Sequence, residues 1–257
     1  MIDIIKIELK KMKKKKECYL MFSMVFIPIL YSIGLFMNSS SIIYVGENKV
    51  NALLFSSEMF NFVYMCFIYF IIISVSSIKT LKGEIEDKSI QLYVQRINNR
   101  KKIYLSKNIA YAIFSIINTT IFILISVFCF YLFLIRRSDI ATAILWEKSQ
   151  ILYCVINIIS ILVCFLFTIN ISFSISTYTK SFIAMVIFLF VWLSFLYLKE
   201  FAYVKYVIPI YYVENIINKK VGECDWISFG ILILLVTFYS LLSIIIGYKK
   251  FEKSDLG

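Results

Sequence analysis

Six long stretches of this sequence contain no aspartate, glutamate, lysine or arginine. Because an α-helix rises about 1.5 Å per residue, roughly 20 apolar residues cross the hydrocarbon core of a bilayer. A charge at the centre of such a helix costs about 2.5–3.5 kcal/mol on insertion scales, so charge-free runs of this length predict transmembrane helices. The predicted spans are residues 18–37, 59–78, 109–135, 151–172, 181–198 and 226–248.

The composition excludes the two main alternatives to a membrane protein. Hydrophobic residues make up 61% of the chain and charged residues 17%, whereas a soluble domain has about 45–50% and roughly 25%. A chain this apolar cannot cover itself with a polar surface, and its high hydrophobicity is the opposite of what disorder requires. We therefore expect an all-α, polytopic membrane protein, with residues 1–257 forming one transmembrane domain.

The distribution of basic residues predicts the orientation. The N-terminal segment, the 79–108 loop, Lys180 and the C-terminal tail carry 19 lysines and arginines, and the opposite loops carry eight. Acidic residues divide equally between the two sides. Since cytoplasmic loops are enriched in lysine and arginine, both termini are expected in the cytoplasm of a multi-pass protein of the cell membrane. Nucleic-acid binding would need a soluble basic face, which this pattern lacks.

Residues 1–17 are predicted to form a helix that lies in the inner membrane interface. Ile2, Ile5, Leu9 and Met12 share one helical stripe, and the lysines occupy the other faces. Such a helix buries its apolar side in the headgroup region while its lysines attract anionic lipid. A merely basic tail is the alternative.

The 79–108 loop carries a helical signal of its own. Gly83 is expected to break the preceding helix, after which Glu84, Glu86 and Asp87 suit the positive end of a new short helix. Ile85, Leu92 and Ile97 can supply apolar contacts, and a basic cluster from Arg100 ends the segment. The loop is too short for a domain, so we predict a docking element; an ordinary amphipathic connector is the alternative.

The outer loop at 199–225 is too polar to span a membrane and too apolar to be fully solvated. Two short re-entrant or interfacial helices broken at Pro209 fit this pattern. Its tyrosines, which include Tyr211 and Tyr212, could equally form an aromatic belt at the outer headgroups, and the two interpretations are compatible.

The sequence lacks the residues that common enzymes need. There is no histidine and no GxxxxGK[ST] motif, and the six cysteines show no CxxC spacing. We expect no catalytic residue, metal ligand or cofactor in this chain, and we interpret the cysteines as packing residues.

The predicted spans contain uncharged polar residues that could join helices or face a substrate. Hydrogen bonds between membrane helices contribute about 0.6 kcal/mol each. The candidates for a substrate path, with two tyrosines of the outer loop, are Asn118, Thr119, Asn157, Asn170, Tyr211 and Tyr212. Ion-coupled carriers commonly place a carboxylate or a histidine inside the membrane, and the predicted spans contain neither. Energy for transport is therefore expected to enter at the cytoplasmic face.

The order of these elements resembles the ABC-2 type permeases. The chain has an interfacial N-terminal helix, six spans with both ends inside, and a loop of the form E-x-E-x-x-S…R-x-x-x-x-x-x-K after the second span. The turn STYTKS before span five and the tail GYKKFEKSDL are also similar to that family. The loop departs from the family pattern at Ser89, where a glycine is more common.

The resemblance implies a transport subunit without ATPase activity of its own. It implies a homodimer or heterodimer of permeases, a separate ATP-binding cassette subunit that holds ATP and magnesium, and export of an amphiphilic substrate such as an antimicrobial peptide, a drug or a lipid. Small permeases of the lantibiotic-immunity and bacitracin-resistance branches are also similar. It further implies that residues 84–96 dock into the ATPase while Arg100 and Lys107 anchor them to the inner leaflet. The coupling residues it assigns are Glu84, Ile85, Glu86, Ser89, Leu92, Arg96, Arg100 and Lys107.

Two other functions fit the same sequence features. An ATP-independent secondary carrier could bind its coupling ion through backbone carbonyls. A non-transporting immunity or sensor protein would share every feature described above.

Overall fold

The computed structural model describes residues 1–38, 49–97 and 99–253. It is 80% helical and has no β-strand in those ranges, which confirms the all-α prediction. The helices are α1 (Ile2–Met12), α2 (Lys16–Leu20), α3 (Phe26–Phe36), α4 (Ala52–Met65), α5 (Ile68–Ile78), α6 (Glu84–Glu86), α7 (Ile90–Ile97), α8 (Arg100–Phe133), α9 (Ile151–Ser176), α10 (Ser181–Leu198), α11 (Pro209–Ile217) and α12 (Trp226–Lys253).

Five helical segments are long and apolar enough to cross a membrane, and a bent pair of helices makes a sixth if it counts as one span. The chain is therefore a membrane protein by the length and composition of its helices. The five segments are Lys16–Phe36, Arg100–Arg136, Ile151–Ser176, Ser181–Leu198 and Trp226–Lys253, and the bent pair is Ala52–Met65 with Ile68–Glu86.

The bent pair of helices differs from the prediction, which placed a single span at 59–78. Its two helices meet at an angle of 71°. Phe67, at the break, adopts a φ of 42°, which is unusual for a residue with a side chain. Asn51 caps the first helix by accepting a hydrogen bond from the Leu54 amide at 2.9 Å, so helix α4 begins seven residues before the predicted span. Glu58 consequently lies on a helix of the membrane-spanning set.

Helix α9 lies at the centre of the bundle. It packs against α4, α5, α8, α10, α11 and α12. Phe165 contacts the rings of Phe60, Tyr69 and Phe70 with centroids 4.9–5.6 Å apart. More than half of the most apolar stretch of α9 is buried, against 17% for α10 and 11% for α12. These two helices therefore lie at the periphery and expose apolar side chains.

The helix that follows the break does not end at Gly83, as the sequence predicted. It continues from Ile68 to Glu86 through a π-helical turn at Lys79–Gly83. Leu81 and Thr80 are buried in that turn, and the Thr80 hydroxyl donates to the Ser76 carbonyl at 2.8 Å. Packing on both sides keeps the glycine helical, and the chain turns instead at Lys88, whose φ is 58°.

The outer loop folds into a 3-10 turn at Lys205–Val207 followed by helix α11. Pro209 begins the helix rather than interrupting one, because proline lacks an amide hydrogen and the first helical residue needs none. Tyr203 is exposed, whereas Tyr212 is buried and donates to the Tyr206 carbonyl at 3.0 Å. Helix α11 packs on α9 and α12, so this loop is part of the folded bundle.

Candidate coupling site at one end of the bundle

An ion cluster joins three segments of the chain around Lys107. The side chain of Lys107 is completely buried, and its Nζ lies 2.8 Å from Glu8 Oε2 and 2.5 Å from Glu84 Oε2. Glu8 belongs to α1, Glu84 to α6 and Lys107 to α8. A buried charge is tolerated only when it is paired and hydrogen-bonded, so these contacts hold the three helices together.

Two further lysines complete the cluster at its outer edge. Lys15 Nζ lies 2.8 Å from Glu84 Oε1, and Lys11 Nζ lies 3.5 Å from the same oxygen and 3.7 Å from Glu8 Oε1. The Tyr93 ring of α7 covers the cluster, with its centroid 4.0 Å from Lys11 Nζ. The cluster thus holds three ammonium groups and two carboxylates, and the aromatic face offsets part of the excess positive charge.

The surroundings of Lys11 favour its charged form. Burial alone would lower its pKa, but the hydrogen bond with Tyr93 and the charges of Glu8 and Glu84 raise the pKa above its usual value. Lys11 therefore carries its charge throughout the physiological range and contributes to the attraction between α1 and α6.

Glu86 connects the same segment to a fourth helix. Its carboxylate accepts hydrogen bonds from the Ser181 amide at 2.8 Å and from the Ser181 hydroxyl at 2.6 Å. Ser181 is the first residue of α10, where the helix has unpaired amides and a partial positive charge. Glu86 consequently acts as a cap supplied from a distant part of the chain.

Arg100 connects the start of α8 to the end of α12. Its Nη1 donates to the Glu252 carbonyl at 2.9 Å. Carbonyls in the last turn of a helix lack intrahelical partners and attract cations, so this contact fits the chemistry of a helix C-terminus. It also shows that the end of α12 and the N-terminal helix lie at the same end of the bundle.

The local sequence explains how Lys107 reaches the interior. Asn99 caps α8 by accepting a hydrogen bond from the Lys102 amide at 2.9 Å. From that start, Tyr104, Lys107 and Tyr111 occupy one helical face, because residues three and four apart are neighbours. All three are completely buried, so the lysine follows its apolar neighbours inward. Glu8 enters in the same way, one turn before the buried Met12.

The predicted coupling residues divide into buried joints and exposed positions. Glu84 and Lys107 meet, and Lys107 does not contact lipid as the sequence suggested, because the ion cluster encloses it. Ser89 donates to the Glu84 carbonyl at 3.3 Å and stabilises the turn before α7. Ile85 is half-buried, and Arg96 is exposed. Leu92 lies in α7, and its side chain is outside the described part of the structure.

Two openings adjoin this segment. A polar cleft of about 620 Å³ lies between α1, the π-helical turn and the start of α10, with Lys14, Lys79 and Asp87 on its walls. An apolar groove of about 520 Å³ separates α1 from α7 and is lined by Ile4, Ile7, Tyr93, Arg96 and Ile97. Ile7 is exposed, so part of this apolar surface remains uncovered.

The predicted substrate-path residues are spread over three helices and line none of these openings. Asn118 joins helices: its Nδ2 donates to the Met21 carbonyl at 2.8 Å and to the Tyr69 hydroxyl at 2.7 Å. Thr119 and Asn157 are buried, Asn170 is half-buried, and Tyr211 packs against Tyr206 and Tyr212. For Asn118 the structure therefore favours hydrogen bonding between helices over contact with a substrate.

Sequence reasoning did not identify Glu8, Lys11, Lys15, Tyr93 or Ser181 as part of this site. A signal was present for Glu8, since it is an acid on the face of α1 that also carries Met12. A second signal was Lys107, a lysine on a helical stripe of aromatic residues. The partners of these charges could not be read from the sequence because they are far apart along the chain.

No protein-family model matches the sequence, and no curated protein matches it. In the described ranges, no group of three or more cysteine, aspartate or glutamate side chains could hold a metal ion. The geometry of the ion cluster is therefore the main structural observation that bears on function.

Proposed function

We propose that this chain is the membrane-spanning subunit of an ATP-driven exporter. In this proposal a separate subunit hydrolyses ATP, and the chain moves an amphiphilic substrate such as an antimicrobial peptide, a drug or a lipid. The observation that supports it most is the set of polar joints around α6 and α7. Glu84 contacts α1 through Lys11 and α8 through Lys107, and Glu86 contacts α10, so one short segment is bonded to three helices at once.

The ion cluster gives this segment the stiffness that force transmission requires. Breaking a buried ion pair by removing one partner costs about 3–5 kcal/mol, so the joint between Glu84 and Lys107 resists separation. A displacement of α7 would pass through Glu84 to α1 and α8, and through Glu86 to α10. A loop that merely connected two spans would not need such contacts.

The groove between α1 and α7 is the surface at which we expect the ATP-binding cassette subunit to dock. Its apolar floor can accept a hydrophobic side chain of the partner, and the exposed Arg96 at its edge can pair with a partner carboxylate. A second permease copy completes the assembly in this proposal. The peripheral helices α10 and α12 expose the apolar surface that lipid or such a copy would cover.

An ion-coupled secondary carrier is the second candidate, and Glu58 is the observation that favours it. Because α4 begins at Ala52, the carboxylate of Glu58 lies on a helix of the membrane-spanning set. It makes no ion pair within the residues that the structure describes. Carboxylates on membrane helices mark ion and proton pathways in carriers.

The two candidate functions can be distinguished in membrane vesicles, because one needs ATP and the other needs an ion gradient. Inside-out membrane vesicles that contain the chain together with its ATP-binding cassette subunit should accumulate a fluorescent cationic amphiphile when ATP is added, and a non-hydrolysable ATP analogue should not support uptake. Arg96→Glu should abolish ATP-driven uptake, whereas Lys148→Glu, an equal charge change at an exposed site on another loop, should leave it unchanged. Uptake that follows an imposed ion gradient without ATP and is lost in Glu58→Gln would favour the carrier instead.

A further inference from the structure

A cavity of about 310 Å³ opens beside the break between α4 and α5. Helices α10 and α11 close its other sides, so it is separate from the ion cluster around Lys107. The cavity is lined by residues that include Tyr64, Phe67, Phe70, Trp192, Lys199 and Glu214.

The cavity has one charged end and one aromatic end. Lys199 Nζ donates to both oxygens of Glu214, at 2.5 and 2.7 Å. Both side chains are partly exposed, 19% for Lys199 and 33% for Glu214, so a ligand can reach the pair. At the other end the rings of Phe70 and Trp192 lie with centroids 4.3 Å apart. The walls therefore change from ionic to apolar over the length of the cavity.

We propose that this cavity binds the headgroup of a zwitterionic lipid that carries a primary amine, namely phosphatidylethanolamine. A lone anion at Lys199 would displace Glu214 and leave its partly buried carboxylate without a partner, and a lone cation at Glu214 would leave Lys199 only the exposed carboxylate of Glu200 at 3.8 Å. A zwitterion supplies both partners: its phosphate can accept from Lys199 while its amine donates to Glu214. This inference does not depend on the proposed function.

The contact between Lys199 and Glu214 indicates which kind of lipid amine the cavity binds. Glu214 already accepts two hydrogen bonds from the primary ammonium group of Lys199, so its surroundings can accommodate such a group. A trimethylammonium group has no N–H and cannot donate. The cavity should therefore discriminate against phosphatidylcholine.

The surroundings identify a lipid rather than a small soluble zwitterion. Met65 and Ile68 flank the break and are largely exposed, so an apolar surface continues from the aromatic end of the cavity. Lys199 follows the last residue of α10, where a membrane helix reaches the headgroup region, and Glu214 lies beside it on the short helix α11. Acyl chains can follow the apolar surface while the headgroup occupies the charged end.

Native mass spectrometry of the delipidated full chain tests this proposal. The protein is titrated with dioleoyl phosphatidylethanolamine, phosphatidylcholine and phosphatidylglycerol, which share the same acyl chains. Phosphatidylethanolamine should bind about tenfold more tightly than the other two, because one hydrogen bond between charged groups gives at least that discrimination. Equal binding of phosphatidylethanolamine and phosphatidylcholine, or of phosphatidylethanolamine and phosphatidylglycerol, would overturn the proposal.

Variants of the protein and of the lipid test whether the preference for phosphatidylethanolamine arises at this cavity. Glu214→Gln should remove the preference for phosphatidylethanolamine. Lys219→Gln, which also removes one unit of charge but on the following loop, should retain it. If Glu214→Gln does not fold, successive N-methylation of the lipid amine tests the same contact in the unaltered chain, and affinity should fall with each lost N–H. A preference that survives in Glu214→Gln, or that is insensitive to N-methylation, would contradict the proposal.

Discussion

Lys107 and Glu8 are 99 positions apart in the sequence, yet Lys107 Nζ lies 2.8 Å from Glu8 Oε2, and both side chains are completely buried. Helix α1 is therefore attached to the bundle by a buried ion pair as well as by the apolar residues of the same face. The interfacial helix predicted for the N-terminus has a second function in this structure, because it closes the ion cluster that holds α6 and α8 together.

The first prediction concerns the stability of this cluster. Lys107→Met should lower the free energy of unfolding in detergent by about 3–5 kcal/mol, because it leaves Glu8 and Glu84 without their shared buried ammonium group. Lys79→Met removes a surface ion pair in which the side chain of Lys79 is 46% exposed and that of Glu17 is 31% exposed. This change should lower the free energy of unfolding by less than about 1 kcal/mol. Equal losses in the two variants, measured by denaturant titration, would show that the cluster does not stabilise the fold.

The second prediction concerns the crossing of α12 over α8 and α9. A methyl group on Gly247 would collide with the Tyr104 hydroxyl and lie 3.2 Å from the Ser174 Cα. Gly247→Ala should therefore destabilise the protein by about 1–3 kcal/mol, the usual cost of overpacking. Gly230→Ala is the matched control, since nothing lies within 4 Å of the added group and alanine favours the helix. A melting temperature of Gly247→Ala equal to that of the unaltered protein would contradict the close approach at Gly247.

The third prediction concerns Glu86 as the cap of α10. Glu86→Ala should speed hydrogen exchange in the first turn of α10 and cost about 0.5–2 kcal/mol, as loss of a helix cap does. Asp87→Ala removes a neighbouring acid on the same cleft and should leave exchange in α10 unchanged. Identical exchange in the two variants would mean that Glu86 does not connect the segment to α10.

The fourth prediction separates coupling from folding. Val94→Pro should interrupt α7, because Val94 lies in the interior of Ile90–Ile97, where proline removes a hydrogen bond and clashes with the preceding turn. ATP-driven uptake in vesicles should be lost, while membrane insertion measured by protease protection should persist. Unchanged uptake in this variant would exclude α7 as the coupling element.

The sequence predicted the membrane helices well wherever an uncharged run had clear ends. Helix α10 covers the same residues as the predicted span 181–198, and α9 begins at the predicted Ile151. In contrast, no residue type near Phe67 indicates the break, because neither glycine nor proline lies there. The contact between Phe70 and Trp192, which accompanies this conformation, joins segments that are distant in the sequence.

The candidate site could be predicted only in part. The loop after the second span was recognised because Glu84, Glu86 and Arg100 stand among apolar residues with helical spacing. Their individual partners could not be found, since each contact joins helices that are distant along the chain. Lys107 shows the limit best: its charge suggested a position at the lipid surface, and only the packing of Tyr104 and Tyr111 around it shows that it is buried.

Purified protein in liposomes provides the most direct test of whether a separate ATPase drives transport by this chain. The chain is reconstituted alone and together with a candidate ATP-binding cassette subunit, and accumulation of a fluorescent amphiphile is followed with ATP or with an imposed ion gradient. We expect accumulation only when both the ATPase and hydrolysable ATP are present. Accumulation driven by the purified chain alone, with no nucleotide hydrolase in the preparation, would contradict it.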